Sequence, residues 1–88
     1  MKESIESMSN AEIIRSYIVE NFLFGDDSGL QDDTSFLDEG IMDSTAALEL
    51  VDFLEKEFSI KVEDEEFTPE NLDSINNVVI FLERKKIS

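Results

Sequence analysis

The feature that most constrains this chain is the spacing of apolar residues from Ser44 to Phe58. At about 100° per residue, Ala47, Leu50, Val51, Leu54 and Phe58 fall on one arc of a helical wheel, while Thr45, Glu49, Asp52 and Lys56 fall on the other. Such a helix has to face a core. Two more segments repeat the pattern. Ser9-Asn10-Ala11-Glu12 has the form of a capping box, and behind it Ile13, Ile14, Tyr17, Ile18 and Phe22 recur at helical spacing. This predicts a first helix from Asn10 to Leu23, with Gly25 in the left-handed position that ends it. Near the other end Ile75, Val78, Val79 and Leu82 repeat at i, i+3, i+4, i+7 behind Asp73 or Ser74 as cap, and Arg84, Lys85 and Lys86 complement the dipole.

Shorter elements fill the gaps. Ser59-Ile60-Lys61-Val62 reads as an extended link anchored by Ile60 and Val62. Glu63-Asp64-Glu65-Glu66 reads as a solvated charge run. Thr68-Pro69 predicts a cap followed by proline at the first position of a short helix that reaches Leu72. The expected fold is all-α, a small four-helix bundle of three longer helices and one short one. Residues 1–9 are expected to be a flexible lead-in, and 10–86 a single domain.

The connection from Phe24 to Asp43 needs a reason, because about twenty residues is long for a loop in a compact domain. Phe36, Leu37 and Ile41, with Leu30, are expected to pin it to the core. Its acids do not fit a calcium loop: Gly29 at the sixth position places Phe24 first, and Gly40 there places Ser35 first and Ala46 last. No metal site is expected, beyond a loose surface cation site on the acidic loops.

The 88 residues hold no Cys and no His. They therefore provide no disulfide, no thiolate ligand and no histidine general base, which excludes a Ser-His-Asp triad. Any thiol chemistry has to come from an attached group or a partner. With 22 acidic and 7 basic residues the net charge is −15, which disfavours nucleic acid and anionic membranes and attracts partners with basic patches.

Asp43-Ser44 starts the central helix, with Asp43 as predicted N-cap. A helix N-terminus presents free N–H groups and partial positive charge, a setting that favours a phosphate on the Ser44 hydroxyl. Asp27-Ser28 and Asp73-Ser74 are pairs of the same kind. The first reads as a turn before Gly29, and the second opens a helix without a long loop before it. Only Ser44 combines a long acidic, glycine-punctuated loop with an amphipathic helix behind it.

Gly40-Ile41-Met42-Asp43-Ser44-Thr45 and the following helix resemble the acyl carrier protein family, over roughly Asn10 to Lys85. The resemblance implies that Ser44 is esterified with 4'-phosphopantetheine by a phosphopantetheinyl transferase using coenzyme A, which recognises Asp43. It implies a carrier with no catalytic residue, holding acyl or aminoacyl groups as thioesters for lipid, fatty acid or secondary-metabolite biosynthesis. Thr45, Leu48, Glu49, Asp52 and Glu55 then face partners with basic docking patches: an adenylating ligase, an acyltransferase or a condensing enzyme. Thr45 stands where a bulky apolar residue is usual, Ile41-Met42 follow the glycine, and Lys56 stands where an acid is common. These departures are less like the housekeeping fatty-acid carrier and more like an aminoacyl, D-alanyl or peptidyl carrier paired with an adenylating ligase. The reading of a different class is an unmodified acidic helical interaction module.

No signal peptide and no membrane-length apolar run is visible, and a cytoplasmic monomer is expected. A charge this large also destabilises the compact state by self-repulsion. Added NaCl or Mg²⁺ is therefore expected to raise the melting temperature; a melting curve that moves with neither contradicts this.

Overall fold

The structure, a computed structural model, describes residues 9–26 and 29–87, with only the backbone of 86 and 87. Residues 1–8 and the Asp27-Ser28 pair lie outside the described residues. The elements are α1 (Asn10–Phe22), α2 (Ser44–Phe58), a 3-10 turn (Asp64–Glu66), α3 (Pro69–Leu72) and α4 (Ile75–Ile87). The described residues form no strand, so the chain is the expected small helical bundle.

Capping sets where the helices begin. Ser9 is the N-cap of α1, in the capping box that the sequence predicts: its hydroxyl accepts from the Glu12 amide at 3.1 Å while Glu12 accepts from the Ser9 amide at 2.9 Å. This satisfies two of the orphan donors of the first turn. α1 ends one residue earlier than predicted, with Leu23 as C-cap. Gly25 takes the expected positive φ, but Phe24 before it is left-handed as well, at φ 56°. At α3 the proline takes the first turn as predicted, whereas Thr68 caps with its backbone alone, its carbonyl accepting from Asn71 and Leu72. The Thr68 hydroxyl oxygen is buried with no hydrogen-bond partner.

The core is built from the predicted faces. Ile14 and Ile18 of α1, Leu50 and Leu54 of α2, and Ile75, Val78 and Leu82 of α4 are fully or almost fully buried. α1 and α3 both pack on α4. Phe81 is also buried; it lies outside the i, i+3, i+4, i+7 set because two neighbours, α1 and α3, widen the apolar stripe of α4. Between α1 and α2 the seam is aromatic: Tyr17 stacks on Phe53 with ring centroids 4.1 Å apart and planes 14° off parallel.

The charge run before α3 is not merely solvated. The Glu66 carboxylate accepts from the Glu63 amide at 2.9 Å and from Lys85 Nζ of α4 at 2.9 Å, and its carbonyl accepts from Asn71 Nδ2. A local capping bond and a cation from α4 converge here, which a one-dimensional pattern of acids does not reveal.

The Glu63 amide, and then Lys85, hold the Glu66 carboxyl below its ordinary 4.5. A depressed folded-state pKa gives stability that is present above the unfolded value and lost as pH falls through the folded one. Glu66→Gln is therefore expected to melt below the wild type at pH 7, and the gap to close as pH drops below 4.5; a pH-independent gap refutes the linkage. The glycines of the long connection differ in a second testable way. Gly40 sits at φ 71° with open space where a Cβ would lie, whereas Gly29 has open space and no positive φ. In chemical melts, Gly40→Ala is expected to cost about 1 kcal/mol and Gly29→Ala to be neutral or stabilising.

Candidate functional site

The approach to Ser44 is shaped by one tight turn. Over Ser35–Gly40 the chain makes a single helical turn, with the Glu39 amide on the Ser35 carbonyl at 3.0 Å. The Gly40 amide then bonds the Leu37 carbonyl at 3.1 Å and the Ile41 amide bonds the Phe36 carbonyl at 2.8 Å. These two bonds around a left-handed glycine form a Schellman closure, with Phe36 and Ile41 as its apolar pair. The reversal turns the chain toward α2. Phe36 and Leu30 are buried as expected and Ile41 is half-buried. Leu37 departs from the expectation: it is 48% exposed, and Met42, which periodicity did not single out, takes an inner position at 6%. Within one helical turn Phe36 and Leu37 point about 100° apart, so both cannot face the core.

Asp43 is the N-cap, as predicted. Its backbone is extended, its Oδ1 accepts from the Ala46 amide at 2.9 Å and its carbonyl accepts from Ala47 at 2.9 Å. Ser44 is the first residue of α2 and is exposed. Its counterpart Ser74 is 6% exposed and accepts from the Asn77 amide at 3.1 Å as the cap of α4. Two serines that look alike in sequence thus have opposite settings.

On one side of Ser44 lies a cavity of about 130 Å³ whose lining includes Phe36, Leu37, Met42, Ala47, Phe67 and Leu72 as well as Ser44 itself. Apolar cavities of about 150 Å³ accept a molecule the size of benzene. No sequence signal predicts it, since its walls come from the loop, α2, the segment before α3 and α3. On the other side Thr45, Leu48, Glu49 and Asp52 line a shallow groove floored by Tyr17 and Phe53. Thr45, Glu49 and Asp52 are exposed and Leu48 is 59% exposed. Partial burial pushes the Tyr17 hydroxyl pKa up, and the carboxylates of Glu49 and Asp52 add to it. Asp52 also pairs with Lys56 at 3.1 Å. Tyr17 joins this surface from α1, a contribution that a wheel drawn for α2 alone misses.

Glu55 corrects its expected placement. It is half-buried, and its Oε2 accepts from the Val62 amide at 2.8 Å. Its carboxylate serves to hold the link after α2 rather than to extend the open acidic face.

The exposed Ser44 hydroxyl at a helix start fits a phosphate ester: amides of the first turn lack intrahelical acceptors and the helix dipole favours negative charge. The apolar cavity beside it fits a neutral organic group. Among the described residues no three acids gather into a metal-binding group, and no helix is long and apolar enough to cross a membrane.

Comparison with known proteins agrees with this geometry. Residues 12–82 match the family model described as a phosphopantetheine attachment site. The chain is 32% identical to a probable acyl carrier protein, PigG, of Serratia sp. over 71 residues, covering 81% of this chain and 82% of that one. It is 36% identical to a D-alanyl carrier protein of Lactobacillus acidophilus over 63 residues, covering 72% of this chain and 80% of that one. On the match across nearly its whole length, this chain belongs to the family of phosphopantetheine-binding carrier proteins, whose members hold 4'-phosphopantetheine covalently.

Proposed function

We propose that Ser44 is the attachment residue, that the domain over 10–86 is a non-catalytic carrier, and that its cargo is an acyl or an aminoacyl group. The observation that carries this reading is the contrast between the two described Asp-Ser pairs: Ser44 is exposed at the start of α2, and Ser74 is buried and used as a cap. Loading takes place inside a phosphopantetheinyl transferase. The Ser44 oxygen attacks the phosphorus of coenzyme A that bears the pantetheine, a phosphodiester forms, the hydroxyl proton is lost, and the adenine nucleotide leaves. The attached group supplies the thiol that this polypeptide, free of cysteine, lacks. This chain's own residues hold and present it: Asp43 fixes the first turn, and the dipole of α2 offsets the ester's charge.

Thr45, Leu48, Glu49 and Asp52 then meet a basic patch on each partner, attracted by the net charge of −15 and placed by the exposed leucine. An adenylating ligase fits the departures at Thr45 and Lys56 and the names of the relatives, one an acyl and the other a D-alanyl carrier. The mostly apolar cavity beside Ser44 offers the uncharged part of a cargo a surface to lie against.

Intact mass after co-expression with a phosphopantetheinyl transferase tests the assignment. The wild type and Ser74→Ala are expected to gain the arm and Ser44→Ala to gain nothing; an unmodified wild type leaves only the acidic interaction module. Reversing Glu49 and Asp52 to Lys is expected to slow loading at low salt, with the difference shrinking as NaCl rises; equal rates at low salt refute their docking role.

A further inference from the structure

The second Asp-Ser pair has a use of its own. The Asp73 carboxylate accepts from the Ser35 hydroxyl at 2.5 Å through Oδ2 and from the Leu37 amide at 2.9 Å through Oδ1. The Asp73 carbonyl accepts from the Phe36 amide at 2.8 Å. Three consecutive residues of the loop are thus fastened to one residue at the junction of α3 and α4. The Ser35 oxygen in turn accepts from the Asp38 amide at 3.1 Å, so the bond to Asp73 fixes the start of the turn that Gly40 closes. From that turn the Phe36 carbonyl takes the amides of Ile41 and Met42, and Asp43 and Ser44 follow directly. The path from Asp73 to Ser44 is an unbroken series of hydrogen bonds and short backbone.

We infer that Asp73 is a positioning residue for the modification of Ser44: its carboxylate sets the loop turn whose far end presents the serine to the loading enzyme. The inference rests on the attachment reading above. Other anchors of the loop act elsewhere. Arg15 of α1 donates to the Leu30 carbonyl and pairs with Asp32, and the Asn76 amide bonds the Asp32 carbonyl, all upstream of the turn. Loss of the Asp73 carboxylate leaves those bonds and the Phe36 amide on the Asp73 carbonyl intact, and loosens the turn nearest Ser44 by removing its hold on Ser35 and Leu37. A reacting group displaced by about 1 Å can lose on the order of a hundredfold in rate.

The experiment measures the rate of arm transfer from coenzyme A to the full chain by intact mass, with amide exchange read in parallel at a temperature where every variant is folded. Asp73→Ala is expected to load about ten- to a hundredfold more slowly in kcat/KM, with faster exchange confined to residues 35–43. Ser35→Ala, which removes the bond to Asp73 and the Asp38 amide's acceptor but leaves Leu37 on the Asp73 carboxylate, is also expected to load more slowly than the wild type. Ser74→Ala, which removes the α4 cap and no loop contact, supplies the control for general loss of stability and is expected to load at the wild-type rate. Equal rates for Asp73→Ala and wild type overturn the inference, as does a loss in Ser74→Ala matching that in Asp73→Ala. A wild type that takes no arm overturns the attachment reading and this inference together, whereas a wild type that loads normally isolates the failure to Asp73.

Discussion

Backbone amides and carbonyls that leave water must find partners inside the protein, and the long segment between α1 and α2 is where this requirement is hardest to meet. Neither helix nor sheet answers it there. Some partners are local, in the turn over 35–40; the others come from Arg15 on α1, the backbone of Asn76 on α4, and Asp73 between α3 and α4. With those bonds made, the segment can bury Leu30, Phe36 and Met42 and behaves as a wall of the core rather than a tether. The rest of the molecule depends on this wall, because the start of α2, the cavity and the exposed serine are all set by where it runs.

The distribution of charge follows from the same arrangement. Acids that α2 does not bury stay on its outer face, and one, Glu55, is drawn inward to hold the link to α3. Glu66 is likewise taken out of the acidic run by Lys85 and its own capping bond. What is left open is a face with Glu49 and Asp52 beside Leu48, over an aromatic floor shared by α1 and α2. A chain with a net charge of −15 does not need a dense acidic cluster to draw in a basic partner. The open leucine and the stacked rings add a shape that diffuse charge cannot provide.

Ser44 lines the apolar cavity and stands next to Thr45 at the edge of that groove, so two surfaces of different character meet near it. Carrier function as proposed draws on both, and asks for little else from the polypeptide. A protein without cysteine or histidine contributes placement, charge and shelter.

Much of this was legible in the amino-acid order alone. Apolar spacing determines α1, α2 and α4, because a helix presents every third or fourth residue to one side regardless of context. Local chemistry determines the caps at Ser9 and Asp43 and the proline start of α3, since each bond spans only three or four residues. The distinction between Ser44 and its look-alike at Ser74 was legible from the loop before it. Tertiary structure alone decided the rest: that Met42 and not Leu37 turns inward, that Glu55 and Glu66 leave the free acidic surface, that Phe81 joins the core, and that a cavity opens beside the serine. Most of these depend on contacts outside the helix or turn that holds the residue, such as Asp73 on Ser35 and Leu37, Val62 on Glu55 or Lys85 on Glu66, and the spacing along a chain carries no record of which partner will satisfy a given polar group.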